Sequence, residues 1–170
     1  GRAGGIVVSE WVPGRSLAAA AAATGDDAVD PDTAVTAVRP LADAAARAEE
    51  RGLVLALDSP DRIRLTEDGR ALLAFAGVGA DADTRGDVRG LGAVLYALLT
   101  DTWPLELPEG SDAHETTDPR PAPAPRGDDD EVADPTGVRP GVPPEAAVLA
   151  MRSLDGTSVS SAATVRSMVD

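Results

Sequence analysis

The fold of this chain is decided by the stretch Asp87-Val88-Arg89-Gly90-Leu91-Gly92-Ala93-Val94-Leu95-Tyr96-Ala97-Leu98-Leu99-Thr100, which is followed by Trp103-Pro104-Leu105. An acid opens the stretch, apolar residues recur at helical spacing, and a Trp-Pro pair stops it. The two glycines remove side-chain bulk, so a neighbouring segment can approach the backbone closely. This pattern predicts a buried central helix from about Asp87 to Thr100.

Composition limits the kinds of partner that this chain can bind. It has 170 residues, a formal net charge of −14 and 15 cationic residues, all of them arginine. Nucleic acid and anionic membranes are therefore not expected as direct partners, because both require clustered cations. The absence of cysteine excludes disulfides and thiolate metal sites. No apolar run approaches the roughly 18 residues of a membrane span, so we expect no direct membrane insertion by this segment.

The residues before the central helix predict one strand and two helices. Residues 6–12 alternate and are rich in β-formers, which predicts a strand. Ser16 is placed to cap a short helix over 17–23. A longer helix is expected over 33–51, with Gly52 as its C-terminal stop.

A β-hairpin is predicted directly before the central helix. Its strands fall at 62–65 and 71–75, and the Asp-Gly pair within 66–70 is a strong turn signal. The composition then changes to Pro, Asp, Gly and Ala over 108–141, which predicts a flexible insert. Two further helices are expected after the insert, at about 143–154 and 161–169. The fold class is therefore mainly α (α+β).

That order of elements resembles the large lobe of eukaryotic-type Ser/Thr protein kinases, starting at the hinge strand and covering 1–170. The run Glu10-Trp11-Val12-Pro13-Gly14-Arg15-Ser16-Leu17 resembles the hinge segment, whose backbone would contact adenine. The resemblance implies a protein-kinase-like C-lobe, helical with a short hinge strand and a β-hairpin. It makes Glu10, Trp11 and Val12 a vestigial hinge, and no cofactor is expected there.

The groups that phosphoryl transfer needs are missing from the positions that the resemblance assigns to them. A kinase uses a catalytic-loop Asp, an Asn on one Mg²⁺ and the Asp of Asp-Phe-Gly on the other. Here those positions hold Leu57, Arg62 and Phe75. None of the three can bind magnesium, and burial of Leu55, Leu57 and Phe75 would replace a wet metal site with an apolar one. We therefore expect no enzyme activity and no metal site.

The alignment of the loop is supported by Pro60, which falls where such loops usually carry proline. A shift by one residue would make Asp58 the base but would put Ile63 and Ala76 at the magnesium positions. Neither side chain binds magnesium, so the shift does not restore a kinase. Gly77, the last residue of the degenerate Asp-Phe-Gly position, is expected to be structural.

Asp87 is the acid that the resemblance retains. In kinases this acid accepts hydrogen bonds from backbone amides of the catalytic loop, so we expect Asp87 to hold residues 55–58 in this chain. That role is structural, which explains how the acid can persist without catalysis.

Among kinase relatives, the chain resembles the pseudokinase domain of MviN/MurJ-type lipid II flippase homologues. The hinge run, the loop over 56–62, the Asp-Val-Arg-Gly-Leu-Gly run and the Trp-Pro-Leu ending carry this likeness. It implies a cytoplasmic regulatory or scaffolding module of a membrane-anchored protein that transports peptidoglycan precursor. It also implies phosphorylation by a cognate Ser/Thr protein kinase and phosphothreonine recognition by a forkhead-associated domain protein. Possible phosphoacceptors in acidic loop sequence are Thr116, Thr117 and Thr136.

Two other interpretations stay open. The chain could be an active or weakly ATP-binding fragment of a Ser/Thr protein kinase with a displaced mechanism. It could also be a helical protein-interaction domain unrelated to kinases.

His114, the only histidine, and the acidic run over 128–131 are expected to be solvated and without a metal.

Overall fold

The computed structural model describes residues 10–21, 23, 29–75, 83–106 and 121–169. In these residues the chain folds into helices and short strands, which are β1 (Arg15–Ser16), α1 (Leu17–Ala21), α2 (Pro31–Glu49), β2 (Ile63–Leu65), β3 (Ala71–Leu73), α3 (Thr84–Thr100), β4 (Thr102–Trp103), β5 (Ala122–Pro123), α4 (Pro135–Val138), α5 (Pro144–Asp155) and α6 (Ala162–Met168). A 3-10 turn, Pro60–Arg62, precedes β2. The mixed α+β class predicted from the sequence is confirmed.

The predicted central helix is α3, and it is buried along almost its whole length. It begins before Asp87 because the side chain of Asp83 accepts a hydrogen bond from the Gly86 amide at 2.7 Å and so caps the first turn. It packs on α2 and, most extensively, on α5. At Gly92 a Cβ would lie 2.8 Å from the Leu154 amide nitrogen, so this glycine sets how closely α5 can approach.

The ends of α1 and α2 follow local sequence signals. Ser16 Oγ accepts a hydrogen bond from the Ala19 amide at 3.0 Å, which caps α1 as predicted. At the end of α2, Gly52 has φ +65°. The Leu53 amide donates to the Ala48 carbonyl at 2.9 Å, and this bond, together with the left-handed backbone at Gly52, ends the helix. The predicted stop at Gly52 is confirmed.

The strand expected over 6–12 lies partly outside the described residues, which begin at residue 10. Residues 10–12 are not in a strand, and the first strand among the described residues is β1, which pairs antiparallel with β2. The reason is Gly14, with φ +116°, where a Cβ would lie only 2.3 Å from the Leu65 carbonyl oxygen. The backbone at Gly14 therefore lies directly against that of Leu65, and strand pairing starts at the next residue, Arg15.

The predicted hairpin is confirmed. Strands β2 and β3 pair antiparallel with Ile63 opposite Leu73 and Leu65 opposite Ala71, and β1 completes a three-stranded sheet in the order β1-β2-β3. Gly69 takes φ +78° in the turn. Ile63, Leu65 and Ala71 are buried, so one face of this sheet joins the core.

Of the insert expected over 108–141, residues 121–141 are described, and they make several defined contacts with the rest of the chain. Strand β5 pairs parallel with β4. The hydroxyl of buried Tyr96 donates to the Ala133 carbonyl at 2.9 Å, and Arg139 reaches the Asp101 carboxylate at 3.1 Å. Residues 108–120 lie outside the described residues, as do His114, Thr116 and Thr117.

The two helices predicted after the insert are confirmed as α5 and α6. Helix α6 starts after Ser161, whose Oγ accepts a hydrogen bond from the Thr164 amide at 3.1 Å. The carboxylate of Glu49 accepts from the Ala162 amide at 3.0 Å, so the end of α2 fixes the start of α6.

Candidate functional site

Asp87 fastens the segment after α2 to the central helix. We call residues 53–59 the α2–β2 loop. Asp87 is only 3% exposed, and its two oxygens accept hydrogen bonds from the amides of Leu55 at 2.7 Å and Leu57 at 3.2 Å. These are the bonds to the loop that were expected of this acid. Burial raises the pKa of the Asp87 carboxyl, while the two backbone donors oppose that shift.

Leu57, which the resemblance assigns to the position of the catalytic base, is part of the apolar core and is 1% exposed. Its backbone lies directly on α3, since a Cβ on Gly90 would be 2.2 Å from the Leu57 carbonyl oxygen. Leu55 is only partly buried. The side chain of Leu57 is therefore apolar, closed off from solvent, and unable to accept a proton.

Arg62, which the resemblance assigns to the position of the magnesium-binding Asn, is buried beneath the α2–β2 loop. Its Nη2 donates to the Ala56 carbonyl and to the Asp58 carboxylate. Ala56 takes φ +56°, a left-handed conformation that costs energy for a residue with a Cβ. The guanidinium thus sits on the inner side of the loop, and its charge is directed at the one acid that could replace the missing base.

Phe75, which the resemblance assigns to the position of the metal-binding Asp, was expected to be buried, but 46% of it is exposed. It follows Ala74, whose amide donates to the Arg62 carbonyl at 2.8 Å as the last bond of the hairpin. The chain bends after this bond and carries Phe75 away from the core. Gly77 lies outside the described residues. Pro60 is buried and opens the 3-10 turn.

The described part of the hinge run lies against the outer face of the sheet. Glu10 is exposed, Val12 is partly buried, and Trp11 is 74% exposed. The guanidinium carbon of Arg64 lies 4.7 Å from the centre of the Trp11 ring, and Arg64 Nη1 donates to the Gly14 carbonyl at 2.8 Å. Sequence reasoning missed Arg64. Its position at the centre of a predicted strand, between two inward-facing apolar residues, was the available signal.

A cavity of about 380 Å³ opens beside the α2–β2 loop. Its lining includes two acidic residues, Asp58 and Glu106, and two basic residues, Arg89 and Arg126. In the described part of the chain no three His, Asp or Glu residues come together as metal ligands. The lining is electrically mixed, so the cavity favours neither a cation nor an anion.

Thr136, the one candidate phosphoacceptor that the structure describes, is exposed in the first turn of α4. Its amide and its hydroxyl both donate to Asp134 Oδ1, at 2.9 and 2.5 Å. The acidic run over 128–131 forms an exposed turn. Any phosphate on Thr136 would therefore face the carboxylate that now caps the helix.

No family model matches the sequence. Among the described residues, no helix is both long and apolar enough to cross a lipid bilayer. Function is therefore inferred from the residues of the loop, the sheet and the central helix.

Proposed function

We propose that this chain is a pseudokinase domain of the kinase large-lobe type, without catalytic activity. The observation that carries the proposal is the pair of hydrogen bonds from the Leu55 and Leu57 amides to Asp87. Asp87, at the start of the buried helix α3, holds the α2–β2 loop in place. Leu57 in this loop and Arg62 in the turn after it occupy the positions that the resemblance assigns to catalysis. The order hinge, two helices, loop, hairpin and central helix agrees with that assignment.

The chemistry of the loop supports inactivity. Phosphoryl transfer depends on positioning the acceptor and on neutralising phosphate charge through bound metal ions. A buried Leu57 cannot accept a proton, and the guanidinium of Arg62 repels a divalent cation. The remaining acid, Asp58, is already paired with Arg62. Within the α2–β2 loop itself, residues 53–59, there is no other carboxylate to hold magnesium against a nucleotide.

The resemblance to flippase homologues supports a more specific role, which we include in the proposal. The domain acts on the cytoplasmic side of a membrane-anchored parent protein and regulates peptidoglycan precursor transport as a scaffold. A cognate Ser/Thr kinase phosphorylates the parent protein, and a forkhead-associated domain protein binds the phosphothreonine. We assign no phosphosite, because the only described candidate, Thr136, has its hydroxyl engaged by Asp134.

Phosphoryl transfer from radiolabelled ATP, with Mg²⁺ or Mn²⁺, tests the first part of the proposal. We expect no transfer to the chain itself or to a generic protein substrate. The variants Asp58→Asn and Asp61→Asn form a matched pair, because only Asp58 contacts Arg62. The natural chain would instead be an active kinase fragment if it transferred phosphate and if this activity disappeared in Asp58→Asn but survived in Asp61→Asn.

A binding experiment tests the scaffold role. The parent protein, treated with the cognate kinase or left untreated, is used to capture a purified forkhead-associated domain. We expect capture only after phosphorylation, and reversal by phosphatase. Equal capture of the two forms would favour a helical interaction domain that works without phosphothreonine.

A further inference from the structure

We infer that the outer face of helix α5 is a dimer interface, on which a second copy of this chain packs antiparallel about a two-fold axis near Val148. The face lies outside every catalytic and hinge position, so the dimer does not depend on the proposed function. Three features of the face support this assignment. They are an apolar centre, an apolar groove beside it, and two opposite charges that match each other across such an axis.

The outward side of α5 is a stripe of exposed side chains. Glu145, Val148 and Arg152 are all exposed, and because they are spaced by three and four residues they lie on one side of the helix. The inward side, which includes the fully buried Ala150, packs on α3. Val148, in the middle of the stripe, is 46% exposed. The stripe therefore has an apolar centre with a charge of opposite sign on each side of it.

An apolar groove of about 490 Å³ lies beside this stripe. Its lining includes Val35 of α2, Val148 and Leu149 of α5, and Met168 of α6. Val148 and Met168 are two of the five large apolar side chains that are exposed in the described chain, and they meet at this one groove. Exposed apolar side chains that cluster in this way mark an interaction surface, and methionine adapts its shape to an incoming partner.

The charges of Glu145 and Arg152 indicate that the partner is a second copy. The two residues are separated by about 10 Å along the helix axis, which is too far for them to pair with each other. Neither makes a hydrogen bond or an ion pair with another described residue. A two-fold axis between positions 148 and 149 places residue 145 of each copy opposite residue 152 of the other.

In that antiparallel arrangement two ion pairs form together, one on each side of the Val148 side chains. Each Glu145 carboxylate meets the guanidinium of Arg152 in the second copy, and Val148 of the second copy covers the apolar groove. A parallel arrangement would place glutamate beside glutamate and arginine beside arginine, which is unfavourable. The charge pattern therefore selects both the partner and its direction.

The dimer should be weak, because it uses one helix face and one groove. Small interfaces form transient complexes, and the formal net charge of −14 on each copy opposes association. We expect a monomer–dimer equilibrium with a dissociation constant of about 10 to 100 μM at physiological salt.

Charge reversal tests the interface by sedimentation equilibrium of the whole chain. The variants are Glu145→Arg, Arg152→Glu and the double variant that carries both changes. The control is Glu67→Arg, which lies at the exposed tip of the hairpin and changes the net charge as much as Glu145→Arg does. Each variant should keep the circular dichroism spectrum of the natural chain, because the three positions are exposed.

Each single reversal in α5 should raise the dissociation constant at least about tenfold, because it brings two pairs of like charges together. The double variant should restore it to within about threefold of the natural value, since the charges match again. Glu145→Arg also makes the chain less negative, so general repulsion alone predicts tighter association for this variant. Glu67→Arg should not weaken the dimer.

Cross-linking gives an independent measurement, because the chain has no cysteine of its own. In Val148→Cys the two thiols of a dimer lie across the helix pair, within about 10 Å of each other, and a short bis-maleimide should join them. The same reagent should leave Glu67→Cys monomeric.

Two results would overturn the inference. A natural chain that stays monomeric up to about 1 mM would mean that the face serves a different partner. A dimer that Glu145→Arg and Arg152→Glu leave unchanged would mean that the copies meet through another surface.

Discussion

The backbones of Gly90 and Leu57 are in direct contact. A Cβ on Gly90 would lie 2.2 Å from the Leu57 carbonyl oxygen, so there is no room for a methyl group between the central helix and the loop. Asp87 lies one turn earlier on the same face of α3 and binds the amide of Leu57. The loop is thus fixed by steric fit and by hydrogen bonds at neighbouring points. Loop and helix therefore behave as one unit.

Replacing Gly90 by alanine should destabilise the fold by at least roughly 2 kcal/mol, because the new methyl group meets a backbone oxygen that cannot rotate away. Gly137→Ala is the matched control. It lies in α4, where an added Cβ would have no neighbouring atom within 4 Å, so the change should be neutral or slightly stabilising. Urea unfolding measures both. A Gly90→Ala midpoint equal to that of Gly137→Ala would show that the loop yields easily.

Asp87→Asn should cost about 3 kcal/mol, because an amide oxygen can replace only one of the two carboxylate acceptors and the charge assistance is lost. Hydrogen exchange should become faster at the Leu55 and Leu57 amides. Asp83→Asn is the control on the same helix, where asparagine is an equally good cap and the change should be small. Unchanged exchange at the two loop amides would contradict the role given to Asp87.

Tyr96→Phe should lower the free energy of unfolding by about 1 kcal/mol, because it leaves the Ala133 carbonyl without its donor. The effect should concentrate in residues 121–141, where hydrogen exchange should accelerate more than in α5. An equal acceleration in the two regions would mean that the segment does not depend on this tyrosine.

Asp101 gives a pH dependence of known sign. Burial raises the pKa of its carboxyl above 3.8, and the attraction of Arg139 opposes that shift. Between 3.8 and the folded-state pKa the folded chain holds a proton that the unfolded chain has lost. The stability that this group contributes is therefore complete below the unfolded pKa and is lost as the pH rises through the folded one.

The variant Asp101→Asn removes this titration and suits the left-handed backbone at the end of α3, where Asp101 has φ +61°. Urea unfolding of both proteins between about pH 3 and 7 should show the natural chain losing stability relative to the variant as the pH rises. A constant difference would show that the ion pair with Arg139 cancels the effect of burial, and a difference that moves the other way would show that the ion pair outweighs it.

Much of the fold could be predicted because its signals are local. Ser16 caps α1, Gly52 stops α2 and the Asp-Gly turn closes the hairpin within a few residues of where the sequence placed them. The bonds from Asp87 to the loop could also be anticipated, because the resemblance implies that an acid at the start of the central helix holds residues 55–58.

What could not be predicted depends on contacts between distant residues. Strand β1 is two residues long and exists only because Gly14 lets the chain meet Leu65. The order of 121–141 comes from partners such as Tyr96 and Asp101, which lie far away in the sequence, while its own composition suggests disorder. Phe75 is exposed because the hairpin ends one residue before it, a boundary that propensities do not determine.

The left-handed backbone at Ala56 limits how well a short peptide can reproduce the conformation of the α2–β2 loop. Its shape is imposed by Arg62 from beneath and by Asp87 from the helix, and neither the Ala56 side chain nor its neighbours favour it. A synthetic peptide spanning only 53–59 would relax to another conformation. Antibodies raised against such a peptide should therefore recognise the denatured chain in preference to the native protein.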